Sequence, residues 1–305
     1  MADTQGLTRE VASISVPTAQ TMEDPLTLDD VAASFVLDED DEILAESQLA
    51  AAHAPLLLTL RPALATVFSN NEHGPRAPLL LVAFGTVARS LVHALPGVQL
   101  AGSLLAPELS LKGNGFLPSP TDSACCHLFT STSTSPSDAA PVVLAAADAV
   151  PWPRAFDWAS ALLVRFRPAS LVVLEPAAAT DGAARTALAR AGAPCCVLQT
   201  DAASSVDAPT VPLLPPGPLL GGAAAALITH GQARGLPGRL YVYSPPDYVL
   251  TGSEVAKAVV HALSADALIG SASAGKTLQW DAALQRAQQA GCFADMASGH
   301  RGTFT

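Results

Sequence analysis

Short apolar runs recur along this chain with helical patterns between many of them, and no other feature limits the fold as tightly. The runs are Pro55–Leu60, Leu79–Phe84, Val98–Leu104, Cys126–Thr130, Val142–Ala146, Leu171–Leu174, Cys195–Leu198 and Leu240–Tyr243. Continuous apolar runs of this kind, bounded by Gly, Pro or Asp, suit strands covered on both faces. Helical periodicity occupies Thr86–Leu95, Pro153–Phe166, Asp181–Ala191, Pro218–Gln232, Ser253–Leu263 and Thr277–Ala290. Before the Ser253 helix, Thr251 and Ser253 are candidate caps, and Val255, Val259, Val260 and Leu263 share one side. Strand–helix alternation at this spacing predicts an α/β fold: a three-layer sandwich with a largely parallel sheet and helices on both faces.

Charge divides the chain. Residues 1–50 carry 12 Asp and Glu against the single Arg9, whereas 51–305 carry 15 charges of each sign. Such a stretch has too little to bury against its ordering entropy, so 1–50 reads as an acidic disordered tail, densest at Asp38–Glu42. An α/β domain over 51–292 follows, interrupted by a Ser/Thr/Pro-rich loop at 119–138, and 293–305 reads as a flexible C-terminal tail. With 16 basic and 27 acidic residues overall, the balance argues against nucleic-acid binding, which depends on neutralising phosphates.

The N-terminus has neither the basic and apolar regions of a signal peptide nor the acid-poor composition of a transit peptide. The longest uncharged stretch, Ala208 to Ala233, is broken by Pro209, Pro212, Pro215, Pro216 and Pro218, so no membrane span is expected. Five cysteines, in the adjacent pairs Cys125-Cys126 and Cys195-Cys196 plus Cys292, read as reduced thiols in the cytoplasm. Neighbours on a strand point to opposite faces, so neither pair chelates one metal.

One motif matches a nucleotide site by letter. Gly270-Ser271-Ala272-Ser273-Ala274-Gly275-Lys276-Thr277 fits the P-loop pattern, in which Lys276 would reach the terminal phosphates and Thr277 the magnesium. A true P-loop follows a buried strand, but a helix end and a short apolar stub precede Gly270, so no nucleotide is expected here. Neither G-x-S-x-G nor H-E-x-x-H occurs. Of the histidines, His53, His73 and His300 fall in predicted loops, His93, His230 and His261 on helices, and His127 on a strand. Asp148, Glu175, Asp201 and Asp247 follow strands, where open α/β sheets bind ligands.

In the C-terminal half, Cys195-Cys196-Val197-Leu198 leads to Leu213-Leu214-Pro215-Pro216-Gly217-Pro218 and an Ala-rich helix through Ala223–Thr229. Gly235-Leu236-Pro237-Gly238-Arg239-Leu240-Tyr241-Val242-Tyr243 follows, then Asp247 and the helix bearing Glu254-Val255. With the strand Leu79–Phe84 entering a helix at Gly85, this order resembles the proteasome assembly chaperone 1 family over roughly residues 78–305. The acidic N-terminus also fits that family loosely.

The resemblance implies a non-enzymatic chaperone that pairs with proteasome assembly chaperone 2. It implies that the heterodimer sits on the α-subunit ring of the 20S core particle during ring and half-proteasome assembly, in the cytoplasm and also the nucleus. It implies no cofactor and no metal. Family tails can end in hydrophobic–Tyr–any residue and insert between neighbouring α-subunits; here those positions are Thr303, Phe304 and Thr305. Thr303 is only partly apolar and Phe304 lacks the phenolic hydroxyl, departures expected to weaken insertion. Phe304 still offers an aromatic anchor and Thr305 a carboxylate for a buried Lys. Two other readings are a small-molecule enzyme on a doubly wound sheet and a P-loop nucleotide-binding protein.

Overall fold

The computed structural model describes residues 55–62, 77–106, 126–131, 142–147, 150–177, 182–217, 220–246, 250–272 and 278–293. The chain divides into two units, Met1–Gln48 and Leu49–Thr305, and every described residue belongs to the second. The acidic segment 1–50 and residues 294–305 lie outside the described residues. So does most of 119–138, except that Cys126–Ser131 within it is a strand.

All eight strands expected from the apolar runs are present: β1 (Leu57–Leu60), β2 (Leu80–Phe84), β3 (Val98–Leu105), β4 (Cys126–Ser131), β5 (Val143–Ala147), β6 (Leu171–Pro176), β7 (Cys195–Gln199) and β8 (Gly238–Tyr243). They form one sheet in the order β1-β3-β4-β5-β2-β6-β8-β7. The central four, β5, β2, β6 and β8, are parallel. At the flanks β1, β3 and β4 pair antiparallel, as do β4 with β5 and β7 with β8. Parallel neighbours need a long crossover, and no helical pattern occurs between Val98 and Ala147, so this stretch returns as antiparallel strands.

The helices are α1 (Gly85–Ala94), α2 (Ala155–Phe166), α3 (Gly182–Ala191), α4 (Asp201–Ser204), α5 (Gly222–Ala233), α6 (Gly252–Ser264), α7 (Ala267–Ala272) and α8 (Trp280–Gln289). A 3-10 turn at Trp152–Arg154 leads into α2. Side-chain alternation along the strands separates two cores. Leu79, Leu81, Ala83, Val172, Leu174 and Tyr241 pack under α1, α6, α7 and α8. Leu80, Val82, Phe84, Val173, Leu240 and Val242 pack under α2, α3 and α5. The layers are therefore helix, sheet, helix. The Thr251 hydroxyl accepts the Glu254 N–H and the Glu254 carboxylate accepts the Thr251 N–H, so the cap expected for α6 is a complete capping box. Among the described residues, no helix is long and apolar enough to cross a membrane.

Candidate functional site

The carboxyl ends of the parallel strands are the ligand-binding end of an open α/β sheet, and the sequence places Glu175 there. Glu175 lies within β6, one residue before its end. Burial pushes its carboxyl up to about 8, so it is mostly protonated at neutral pH. Beside it β2 turns into α1 at Gly85, whose φ is +74°. A Cβ there would lie 2.7 Å from the Pro176 ring and 2.9 Å from the Tyr243 hydroxyl, so only glycine fits. Tyr243 donates to the Phe84 carbonyl oxygen at 2.7 Å, joining β8 to that turn. Its phenol is shifted upward by burial first and by Glu175 second. Cys195 is pushed up to about 12 by burial and by Cys196. Burial thus favours the neutral forms of both side chains.

The other carboxylates are dispersed. Asp148 and Asp247 lie outside the described residues. Asp201 follows β7, but β7 runs antiparallel, so Asp201 is at the opposite end of the sheet from Glu175. Its N–H donates to the Gln232 side-chain oxygen at 3.0 Å, and Gln232 donates back to its carboxylate at 2.6 Å, a clip between α4 and α5. The P-loop match also finds no strand. Gly270 and Ser271 belong to α7, and 273–277 lie outside the described residues. Asp266 caps that helix by accepting the Leu268 N–H at 2.8 Å.

Asp266 also anchors a buried polar cluster. Its carboxylate accepts from Arg239 at 2.7 Å and from the Tyr241 hydroxyl at 2.6 Å, and Arg239 further donates to the Asp207 carbonyl oxygen. The three side chains fasten the α6–α7 turn to β8; their bonds go to one another and to the backbone, as a structural clamp requires. A second cluster joins α1 to β4: the His93 ring stands edge-on to His127 at 5.9 Å and to Phe129 at 4.9 Å. Burial first, then His127 and Arg89, push His93 down to about 4; burial and Arg89 also lower His127. Among the described residues, no group of three or more His, Cys, Asp or Glu is placed to hold a metal.

A shallow cleft of about 550 Å³ lies where α3 meets the start of β7 and the residues after β8. Leu188, Ala189, Pro194, Pro245 and Leu250 make it largely apolar, and among the described residues Arg185 is the one charged side chain of its lining.

The tail positions Thr303, Phe304 and Thr305 lie outside the described residues. What sequence reasoning missed is on α2 and the 3-10 turn that leads into it: Trp152 is 72% exposed, Phe156 60% and Val164 58%. The missed signal is composition, because Ala155–Phe166 has only Asp157 and Arg165 as charged residues. A helix apolar on both sides has more apolar surface than one core can cover.

No protein-family model matches this chain, and neither does any curated protein. Among solved structures it is similar to a Thermoplasma acidophilum protein of unknown function, at TM-score 0.50 and 12% identity, covering 77% of this chain and 91% of that one. It is similar to Pyrococcus furiosus PbaA, an archaeal homolog of proteasome-assembly chaperone, at TM-score 0.47 and 11% identity, covering 78% and 89% of the two chains. A third likeness is to Pyrococcus furiosus PbaB, an archaeal proteasome activator, at TM-score 0.46 and 14% identity over 77% and 96%. At these identities the likeness is one of fold alone.

Proposed function

We propose that this chain is a non-catalytic proteasome assembly chaperone of the chaperone 1 type. It pairs with proteasome assembly chaperone 2, and the pair holds α-subunits of the 20S core particle in correct order while the ring and half-proteasome form. The observation that carries the reading is that the stretches bearing the sequence resemblance belong to one interlocked core. Leu80–Phe84, Gly238–Tyr243 and Cys195–Gln199 lie in the same sheet, and Tyr243 closes the turn from β2 into α1.

In this reading the C-terminal residues reach the ring. Phe304 buries its ring between two α-subunits, and the Thr305 carboxylate meets a Lys there. Both groups leave water together, so losing either strands its counterpart at a cost of about 2–4 kcal/mol. The test measures binding of the purified heterodimer to assembled α-rings, with the full chain and with Thr303–Thr305 deleted. The deletion is expected to weaken binding at least tens of times while leaving melting temperature and heterodimer intact. Phe304→Tyr is expected to bind at least as tightly as the natural chain. Equal affinity with and without the tail overturns the pocket mode, and no binding by the full chain overturns the function.

A further inference from the structure

We propose that the proline-rich segment 211–216 is an edge guard, which closes the β7 side of the sheet to strands of other protein chains. The prolines that break the longest uncharged stretch of the sequence thereby gain a role in the fold. The guard does not depend on which partner the chain takes.

β7 is the last strand of the sheet on its side. The Thr200 N–H donates to the Gly238 carbonyl oxygen at 2.9 Å, which turns the main-chain groups of Thr200 towards β8. Alternation then turns those of Cys195, Val197 and Gln199 outward. The strand Cys195–Gln199 carries no charge and no proline, so an open edge of this sequence is a template for pairing with another chain.

Segment 211–216 occupies the middle of that edge. The Val197 N–H donates to the Pro212 carbonyl oxygen at 2.9 Å, and the Val197 carbonyl oxygen accepts from the Leu214 N–H at 2.8 Å. These bonds form a parallel bridge that sets Leu213 opposite Val197. Val211 packs against one core and Leu214 against the other, so the segment straddles the rim of the sheet. Just before it, the Asp207 carbonyl oxygen accepts from Arg239 of β8.

The outer side of the bridge gives a further strand little to pair with. Leu213 and, two residues on, Pro215 present their main-chain groups outward, and proline has no N–H. The chain bends at Val211 and again at Pro216, so the extended stretch ends on both sides. Within residues 212–215, one outward N–H remains, that of Leu213. The segment thus exchanges three outward-facing residues of β7 for an edge too short to extend.

The experiment uses the full chain, with self-association read by light scattering across a concentration series and folding by thermal melt. Val211→Ser with Leu214→Ser removes both apolar pins. Pro215→Val with Pro216→Thr keeps the pins and restores the missing N–H groups. Each pair is expected to raise the self-association constant about tenfold or more while the melt stays cooperative. Leu198 of β7 is 39% exposed, so Leu198→Lys sets a charge beside the edge without entering either core. Added to either pair, it is expected to return association to that of the natural chain. Natural association in both pairs overturns the guard. So does association that Leu198→Lys leaves unchanged, since it then runs through another surface. Should the serine pair lose its cooperative melt, the proline pair decides alone: association relieved by Leu198→Lys supports the guard, and natural association overturns it.

Discussion

Gly85 and Glu175 set the local limits at the carboxyl end of the sheet. At Gly85 the left-handed backbone and the close approach of Pro176 and Tyr243 act together. Gly85→Ala is expected to cost about 2–4 kcal/mol, since the added methyl meets a rigid ring and the hydroxyl that holds the turn. A lower denaturation midpoint at unchanged slope is the measurement. Glu175 makes stability depend on pH in a direction its environment dictates. Its carboxyl is raised from 4.5 in the unfolded chain to about 8 in the folded one, so the folded state holds the proton more tightly. Its contribution is full below about pH 4.5 and is lost as pH rises through 8. The slope approaches about 1.4 kcal/mol per pH unit in that window. Glu175→Gln is expected to flatten this slope and to raise the melting temperature most at pH 8–9. His93 acts in the opposite sense. Lowered from 6.5 to about 4, it contributes stability above pH 6.5 that is lost as pH falls towards 4.

The central strands and long helices were legible because burial on both faces writes an unbroken apolar run, and burial on one face writes a 3.6-residue period; β1 and β3, expected to be covered on both faces, are only partly covered. All eight runs became strands, and the antiparallel return of β3, β4 and β5 is visible in hindsight as missing helical pattern between Val98 and Ala147. The four-residue α4 and six-residue α7 were not legible, because a helix of one or two turns carries no measurable period. Nor was the clamp that holds α7. Arg239 within an apolar strand and Asp266 in an interhelical turn read as unrelated charges 27 residues apart, and only folding brings them to 2.7 Å. Both side chains are almost wholly buried, 1% and 0% exposed. Asp266→Ala would leave a buried guanidinium without its counter-charge and α7 without its cap. The expected cost is about 3–5 kcal/mol, whereas Tyr241→Phe, which removes one hydrogen bond, is expected to cost about 1–2 kcal/mol. Chemical denaturation of the two variants beside the natural chain checks the order.

At the scale of the whole molecule, the excess of acidic charge is confined to one end of the chain. The candidate site followed from this only in part: the sequence pointed to the C-terminal tail through a family pattern, while the exposed aromatics of α2 depend on which helix side the sheet leaves uncovered. Residues Leu49–Thr305 form a unit of their own, and 51–305 is formally neutral, with 15 charges of each sign. All of the net charge of −11 therefore resides in residues 1–50. Removing them is expected to leave the cooperative melt of the domain within about 2 °C of the natural value, since Leu49–Thr305 is a compact unit by itself. Solution behaviour should change more than stability. A chain without net charge loses the mutual repulsion that keeps molecules apart, and apolar groups such as Trp152 and Phe156 then meet more often. Near pH 7 the truncated chain is expected to self-associate at concentrations where the full chain does not, and the double variant Trp152→Ala with Phe156→Ala should reverse this. Light scattering across a concentration series reads both effects. A broad or non-cooperative melt after truncation would instead mean that the domain needs its acidic segment to fold.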